Sequence, residues 1–373
     1  MTKSNNEVQR DRQAKGASLS SALTALINQQ PELLSTPDRS FPLGLWQRLA
    51  EKNILTPRLS SLQHEACSYA AIADAARLMT QYSGLPGLAM SWLMQQLLIE
   101  IITRSDSLLI KEKYLSELLA GKTLCALSIS EPKAGAHPKY LTTRADKTEA
   151  GYVLNGEKTY VTNGPNAGIF IILAISSVIN ERKQFTAFLV PADSKGLSIK
   201  PMQGFDALSP TTHCGLVLQN CEVPASCVLG EIGSAFDSIS KPFRELEDIL
   251  MLSPLAGAMQ SLIDELRQLK EGVLTHEQLG QLLAISDSVA FIGLQAAAQL
   301  DKTDHDVSPA SLIITGKLLT EKFINKVKEL TTGLPLNERI SSLINDIDVL
   351  VNIAKSANLA KQITLAKQYL DKE

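Results

Sequence analysis

The reading of the fold starts from Leu154-Asn155-Gly156-Glu157-Lys158-Thr159-Tyr160-Val161-Thr162-Asn163-Gly164. Asn and Gly both tolerate positive φ, so Asn155-Gly156 between alternating apolar runs predicts a β-hairpin turn. Tyr152 and Leu154 precede it, and Tyr160 and Thr162 follow it, as strand-type residues. The strand signal extends outward over 123–235. Phe170-Ile171-Ile172-Leu173, Phe188-Leu189-Val190 and Leu216-Val217-Leu218 read as further strands, separated by Gly and Pro clusters.

On either side the period becomes helical. Upstream, over 17–122, Ala22, Leu23 and Leu26 recur at helical spacing, as do Leu45, Trp46 and Leu49. The nearly continuous apolar stretch from Leu88 to Ile102 reads as a buried helix, punctuated at its start by Gly84, Pro86 and Gly87. Downstream, over 236–373, Leu319, Phe323, Val327 and Leu330 share one helix face. The expected organisation is a disordered arm over 1–16, a helical domain over 17–122, a β domain over 123–235 and a helical domain over 236–373.

The chain has 373 residues, 45% of them hydrophobic, enough to bury sizeable cores. A net charge of −3 gives no basis for nucleic-acid or anionic-membrane binding. No unbroken apolar run approaches the ~18 residues of a membrane span. The five cysteines, Cys67, Cys125, Cys214, Cys221 and Cys227, lack CxxC spacing. They read as reduced thiols of a cytoplasmic protein rather than a disulfide frame or a metal site.

Five segments in order resemble one known family. The opening stretch is similar to the "LNGxKxWITN" signature of the acyl-CoA dehydrogenases. Leu124-Cys125-Ala126-Leu127-Ser128-Ile129-Ser130-Glu131-Pro132-Lys133-Ala134-Gly135-Ala136 resembles "aTEPxAGSD". The segments Lys111–Lys122, Phe188–Leu197 and Gly215–Gly230 resemble three more of its motifs. The resemblance covers roughly 40–260. It implies an α+β multidomain fold: an all-α N-terminal domain, a central antiparallel β-barrel and a C-terminal four-helix bundle. It also implies FAD as cofactor, an acyl thioester as substrate and a homodimer paired through the C-terminal helices. Leu312, Ile313, Leu318, Phe323 and Ile324 are the expected interface residues.

Carried over residue by residue, the resemblance places Leu127, Ile129 and Ser130 at the flavin edge that gains negative charge on reduction. Tyr160 takes the place of the aromatic residue packed on the ring, and Thr162 that of the threonine near N5. Ala136 stands where the family has a serine near substrate. The family's C-terminal catalytic glutamate is Ala354 here. Some branches place the base instead on the first helix of the last domain, where this chain has Leu246-Glu247-Asp248, so Glu247 is the candidate base. The arginine that follows this glutamate in the family is Asp248. Arg267 lacks the Phe-Gly that follows the family's cofactor-binding arginine, and Leu330-Thr331-Thr332-Gly333 replaces its glycine-rich loop. Two functions follow as expectations. One is α,β-dehydrogenation of an acyl thioester, with proton removal by Glu247 and hydride transfer to flavin. The other is a non-catalytic homologue that keeps the fold for binding or assembly.

Overall fold

The computed structural model describes residues 19–29, 41–58, 67–104, 111–202, 204–269, 274–302 and 309–371. The expected arm over 1–16 lies outside the described residues. The chain opens with helices α1 (19–29), α2 (Leu43–Glu51), α3 (Tyr69–Ser83) and α4 (Pro86–Thr103), then the short α5 (Ser116–Leu119). Ser68 caps α3 by accepting from the Ala71 N–H, and Gly84 ends it in the left-handed conformation. Pro86 starts α4, and every residue from Pro86 to Glu100 is buried, so the helix carries no polar stripe.

Eight strands follow: β1 (Leu124–Ser128), β2 (Arg144–Lys147), β3 (Gly151–Thr162), β4 (Ala167–Ile179), β5 (Arg182–Pro191), β6 (Leu197–Pro201), β7 (His213–Pro224) and β8 (Val228–Leu229). They form one sheet in the order β6-β7-β3-β2-β4-β5-β8, with β1 also paired to β4. The sheet corrects the expected antiparallel barrel, because it is mixed and does not close. Strand β1 enters from the helices and runs parallel to β4, and β2 meets β4 in parallel only at Arg144↔Ile175. Strands β6 and β8 are left as the two ends.

Both faces of the sheet are covered. Ile169, Ile171 and Leu173 of β4 join the core shared with the helices, whereas Phe170, Ile172 and Ala174 join a second core with β3, β5 and β7. Two buried faces explain why β4 reads as an unbroken apolar run rather than an alternation.

The expected hairpin is also corrected. Strand β3 runs unbroken through Asn155-Gly156, and the pair marks a register shift against β7. Gly156 has φ +151, and a Cβ there would lie 2.5 Å from Thr143 Oγ1 and 2.7 Å from Thr143 Cα. The glycine therefore serves a bulge and a close approach rather than a turn. Gly156→Ala should cost about 1–3 kcal/mol through overpacking, read as a lower Tm.

The chain ends in α6 (Lys241–Leu250), α7 (Leu252–Leu266), α8 (His276–Gln299), α9 (Pro309–Leu330), α10 (Glu338–Asn352) and α11 (Lys355–Leu370). Helices α7, α8, α9 and α10 pack in a ring, with α10 returning to α7. Helix α3 lies against α7 and α8, so the N- and C-terminal helices share one core. The expected interface residues need revision: Ile313, Phe323 and Ile324 are buried inside this core, and of the five only Leu318 is exposed. Other exposed apolar groups are Phe291 on α8 and Leu359, Ile363 and Leu370 on α11. By length and composition, α8 is apolar enough to cross a membrane, with a mean hydropathy of 1.3 over its best window. An average tolerates the interspersed Ser and Asp that break a continuous run, and the core helix of a soluble protein passes the same test.

Candidate functional site

The site starts at the end of β1. Leu127 lies on the strand, and Ile129 and Ser130 follow it, all three half-buried. Lys158 of β3 reaches across with its Nζ to donate to the Ile129 carbonyl at 3.0 Å and to Glu131 Oε1 at 3.0 Å. The Lys158 and Glu131 side chains are 0% and 4% exposed. Glu131 also accepts from the Thr142 N–H, the Thr142 hydroxyl and the Thr143 N–H. The Thr159 N–H donates to the Ser130 carbonyl at 2.9 Å. Three separate segments are thus tied at one buried ion pair.

Burial alone would raise the Glu131 carboxyl; Lys158 and the hydrogen bonds from Thr142 and Thr143 outweigh it and hold the group at about 2. Burial pulls the Lys158 ammonium below its ordinary value, and Glu131 opposes that shift. The folded Glu131 pKa is below the unfolded value of 4.5. Its contribution is therefore fully present above that unfolded value and is lost as pH falls toward the folded one. The Tm gap between wild type and Glu131→Gln should narrow over that acid window.

Beyond Lys158, β3 bulges and Tyr160 adopts φ +53. A non-glycine residue there is strained, and such strain gathers at functional positions. The Tyr160 ring is 59% exposed, with Phe205 edge-on at 6.3 Å. Thr162, two residues on, pairs across to His213 of β7. Burial pushes the His213 imidazole down to about 4, so it is neutral. Among the described residues, the Ser130 hydroxyl, the Tyr160 hydroxyl and the Thr162 hydroxyl have no hydrogen-bond partner. Ala136 is exposed on the loop after β1.

Helix α4 connects this edge to the candidate base. Ser91 donates to Asn163 Oδ1, next to Thr162, at 2.6 Å. Its neighbour Met90 lines a cavity with Glu247, Asp248, Met251, Leu252, Leu255, Lys317, Leu350 and Ile353. The cavity measures ≈ 20 Å³, room for about one water.

Glu247 sits on α6 with its side chain 16% exposed, 3.1 Å from Arg244. Burial raises its carboxyl above the ordinary range, against the pull of Arg244. Asp248 beside it is 3% exposed and accepts from Arg244 at 2.8 Å and from Lys361 of α11 at 2.5 Å, with Lys317 of α9 at 3.8 Å. Burial would raise Asp248, but these three cations outweigh it and hold the group ionised. Two adjacent carboxylates thus have opposite tendencies, the arrangement that separates a proton acceptor from a structural charge. Ala354, in the left-handed conformation, carries no carboxylate, and Arg267 faces solvent beside Asp264.

The sequence nominates Leu127, Ile129, Ser130, Tyr160, Thr162 and Glu247 as candidates. It missed Lys158 as a buried group, Ser91 and Met90 as the bridge, and the lysines on Asp248. The signal for Lys158 was its place in the opening motif. The lysines 317 and 361 carry no local signal.

Residues 126–221 match the acyl-CoA dehydrogenase middle domain. An isovaleryl-CoA dehydrogenase of Solanum tuberosum is 35% identical over 154 residues, which cover 41% of this chain and 37% of that protein. A probable short/branched chain specific acyl-CoA dehydrogenase of Dictyostelium discoideum is 29% identical over 201 residues, 54% of this chain and 48% of that protein. The chain thus spans less than half the length of these curated relatives. Among solved structures, butyryl-CoA dehydrogenase from Megasphaera elsdenii superposes with a TM-score of 0.78 at 18% identity, covering 99% of this chain and 100% of that one. PigA with FAD and proline gives a TM-score of 0.77 at 19% identity over 100% of both chains. Residues 126–221 thus match the middle domain of the acyl-CoA dehydrogenases, and the fold of the whole chain is similar to that of solved enzymes of this kind.

Proposed function

We propose that the protein is an FAD-dependent oxidoreductase that dehydrogenates an acyl thioester between its α and β carbons. The observation that carries this reading is the conjunction of two features bridged by Met90 and Ser91. One is an edge of hydroxyls, Ser130, Tyr160 and Thr162, without a partner among the described residues, with the exposed ring of Tyr160. The other is a buried carboxyl, Glu247, whose proton affinity is raised. The first suits a flavin ring, which needs donors at its electron-rich edge and a flat surface to pack on. Bound there, FAD supplies the hydride acceptor for the β-carbon.

The chain's own residues supply the rest. Ser130, with Leu127 and Ile129 around it, would hold the electron-rich edge of the flavin, Tyr160 would give a stacking face, and Thr162 would contact the ring. Glu247 removes the α-proton; desolvation brings its basicity toward working pH. Ala136 borders the path of the thioester's carrier. The chain works as a cytoplasmic homodimer, joined through the exposed apolar residues of α8, α9 and α11, where unpaired surface of this kind meets a partner.

Uptake of FAD tests the cofactor. Apoprotein mixed with FAD and passed through gel filtration should emerge yellow, with about one flavin per chain. A colourless protein peak would overturn the reading.

One observation favours the non-catalytic alternative. The ≈ 20 Å³ cavity at Glu247 is too small for an acyl chain, and Leu252 fills the space against Gly293 and Gly316. Dehydrogenation therefore requires the helices around the cavity to part when substrate enters.

A further inference from the structure

We infer that Lys158, held in its buried place by Glu131, is a positioning residue for the flavin edge, orienting the Ile129–Ser130 peptide so that the Ser130 N–H is offered to a ligand. The inference rests on the flavin reading above and deepens it.

The geometry is that of one peptide plane. The Ile129 carbonyl is held by Lys158 Nζ at 3.0 Å. In a trans peptide the carbonyl of one residue and the N–H of the next point in opposite directions. The Ser130 N–H is therefore turned away from Lys158 and away from the buried ion pair. The planes that follow are fixed too: the Ser130 carbonyl accepts from Thr159, and the Glu131 N–H donates to the Gly135 carbonyl. Among the described residues, the Ser130 N–H has no acceptor. A backbone N–H and a hydroxyl on the same residue are then both available at one half-buried spot.

A buried ammonium is costly, and a solvent-exposed loop does not need one to hold its shape. Glu131 makes Lys158 tolerable, and Lys158 in turn does something a neutral strand residue cannot. Its flexible stem delivers a strong donor to a carbonyl whose partner in the ladder has run out, since β1 ends at Ser128. Thr142 and Thr143 complete the acceptor capacity of Glu131, leaving the pair fully satisfied. The arrangement aims a donor without itself touching the ligand.

Substitution separates aim from stability. Lys158→Met removes the donor to Ile129 and frees the peptide to rotate. Glu131→Gln removes the charge but leaves Lys158, as amine or ammonium, able to donate to Ile129. Phe188→Leu lowers stability from the second core without touching the Lys158–Glu131 pair and serves as the control. FAD titration into each apoprotein, followed by flavin fluorescence, should show about tenfold weaker binding for Lys158→Met, the value of one lost hydrogen bond. Glu131→Gln and Phe188→Leu should lie within about threefold of wild type. The visible flavin spectrum of Lys158→Met should also shift, which a loss of stability alone does not produce. Equal affinity of Lys158→Met and wild type, or an equal loss in Phe188→Leu, overturns the inference.

A second measurement needs no variant. Residue-resolved amide exchange of wild-type protein should show the Ser130 N–H exchanging freely without FAD and protected with it. The Glu131 N–H should be protected in both states. A Ser130 amide that FAD leaves unprotected overturns the inference while the flavin reading stands. Failure of the flavin reading shows instead as wild-type protein that takes up no FAD, and it removes both.

Discussion

Glu247→Gln is expected to slow reduction of the bound flavin by an acyl-CoA by ~10²–10⁴-fold, the usual effect of losing a general base. The substitution keeps the shape of the side chain and its hydrogen bond from Arg244, so FAD binding should be unchanged. Glu245→Gln on the same helix is the control, because Glu245 is exposed and faces away from the cavity lining. Single-turnover mixing with the flavin absorbance as readout measures both. Equal rates in Glu247→Gln and wild type would remove Glu247 from the chemistry, since Ala354 offers no carboxylate to replace it.

Asp248→Ala is expected to have the largest effect on stability. It leaves Arg244, Lys317 and Lys361 without their shared counter-ion in a largely buried place. Breaking a buried ion pair from one side costs about 3–5 kcal/mol. Denaturant unfolding of the two proteins measures the loss directly. Because the Asp248 carboxyl is held below its unfolded value, its stabilisation is present above that value and is lost as pH falls through the folded one. The difference between wild type and Asp248→Ala should therefore shrink in acid. A difference under ~1 kcal/mol at neutral pH would mean that the cluster is solvated like a surface pair.

Much of this was legible in the sequence because it was local. The switch from helical to strand period and back follows from which faces the residues bury, and the buried helix α4 announces itself by composition. Ser130, Tyr160 and Thr162 sit inside ordered motifs, so their residue types nominate them. Asn155-Gly156 shows where local reading fails. The same two residues that favour a turn also favour a bulge, and the choice was made by Thr143, packed onto Gly156 from another segment.

Asp248 marks a related limit. It stands where the family has an arginine, and the sequence alone does not show that it is the centre of a charge cluster. Its partners Lys317 and Lys361 come from helices α9 and α11, and no pattern around Asp248 refers to them. The interface residues failed similarly. A helical period shows that Phe323 and Ile324 are apolar, but not that α7 and the neighbouring helices already cover them. Closure of the sheet was equally out of reach, because it depends on where β6 and β8 stop.

The most direct test of the account is anaerobic addition of short straight-chain and branched acyl-CoA thioesters to the FAD-loaded wild-type protein. The account predicts bleaching of the visible flavin absorbance by at least one of them, with the α,β-unsaturated thioester as product. A flavin that stays oxidised with every thioester, yet bleaches on addition of dithionite, would contradict it.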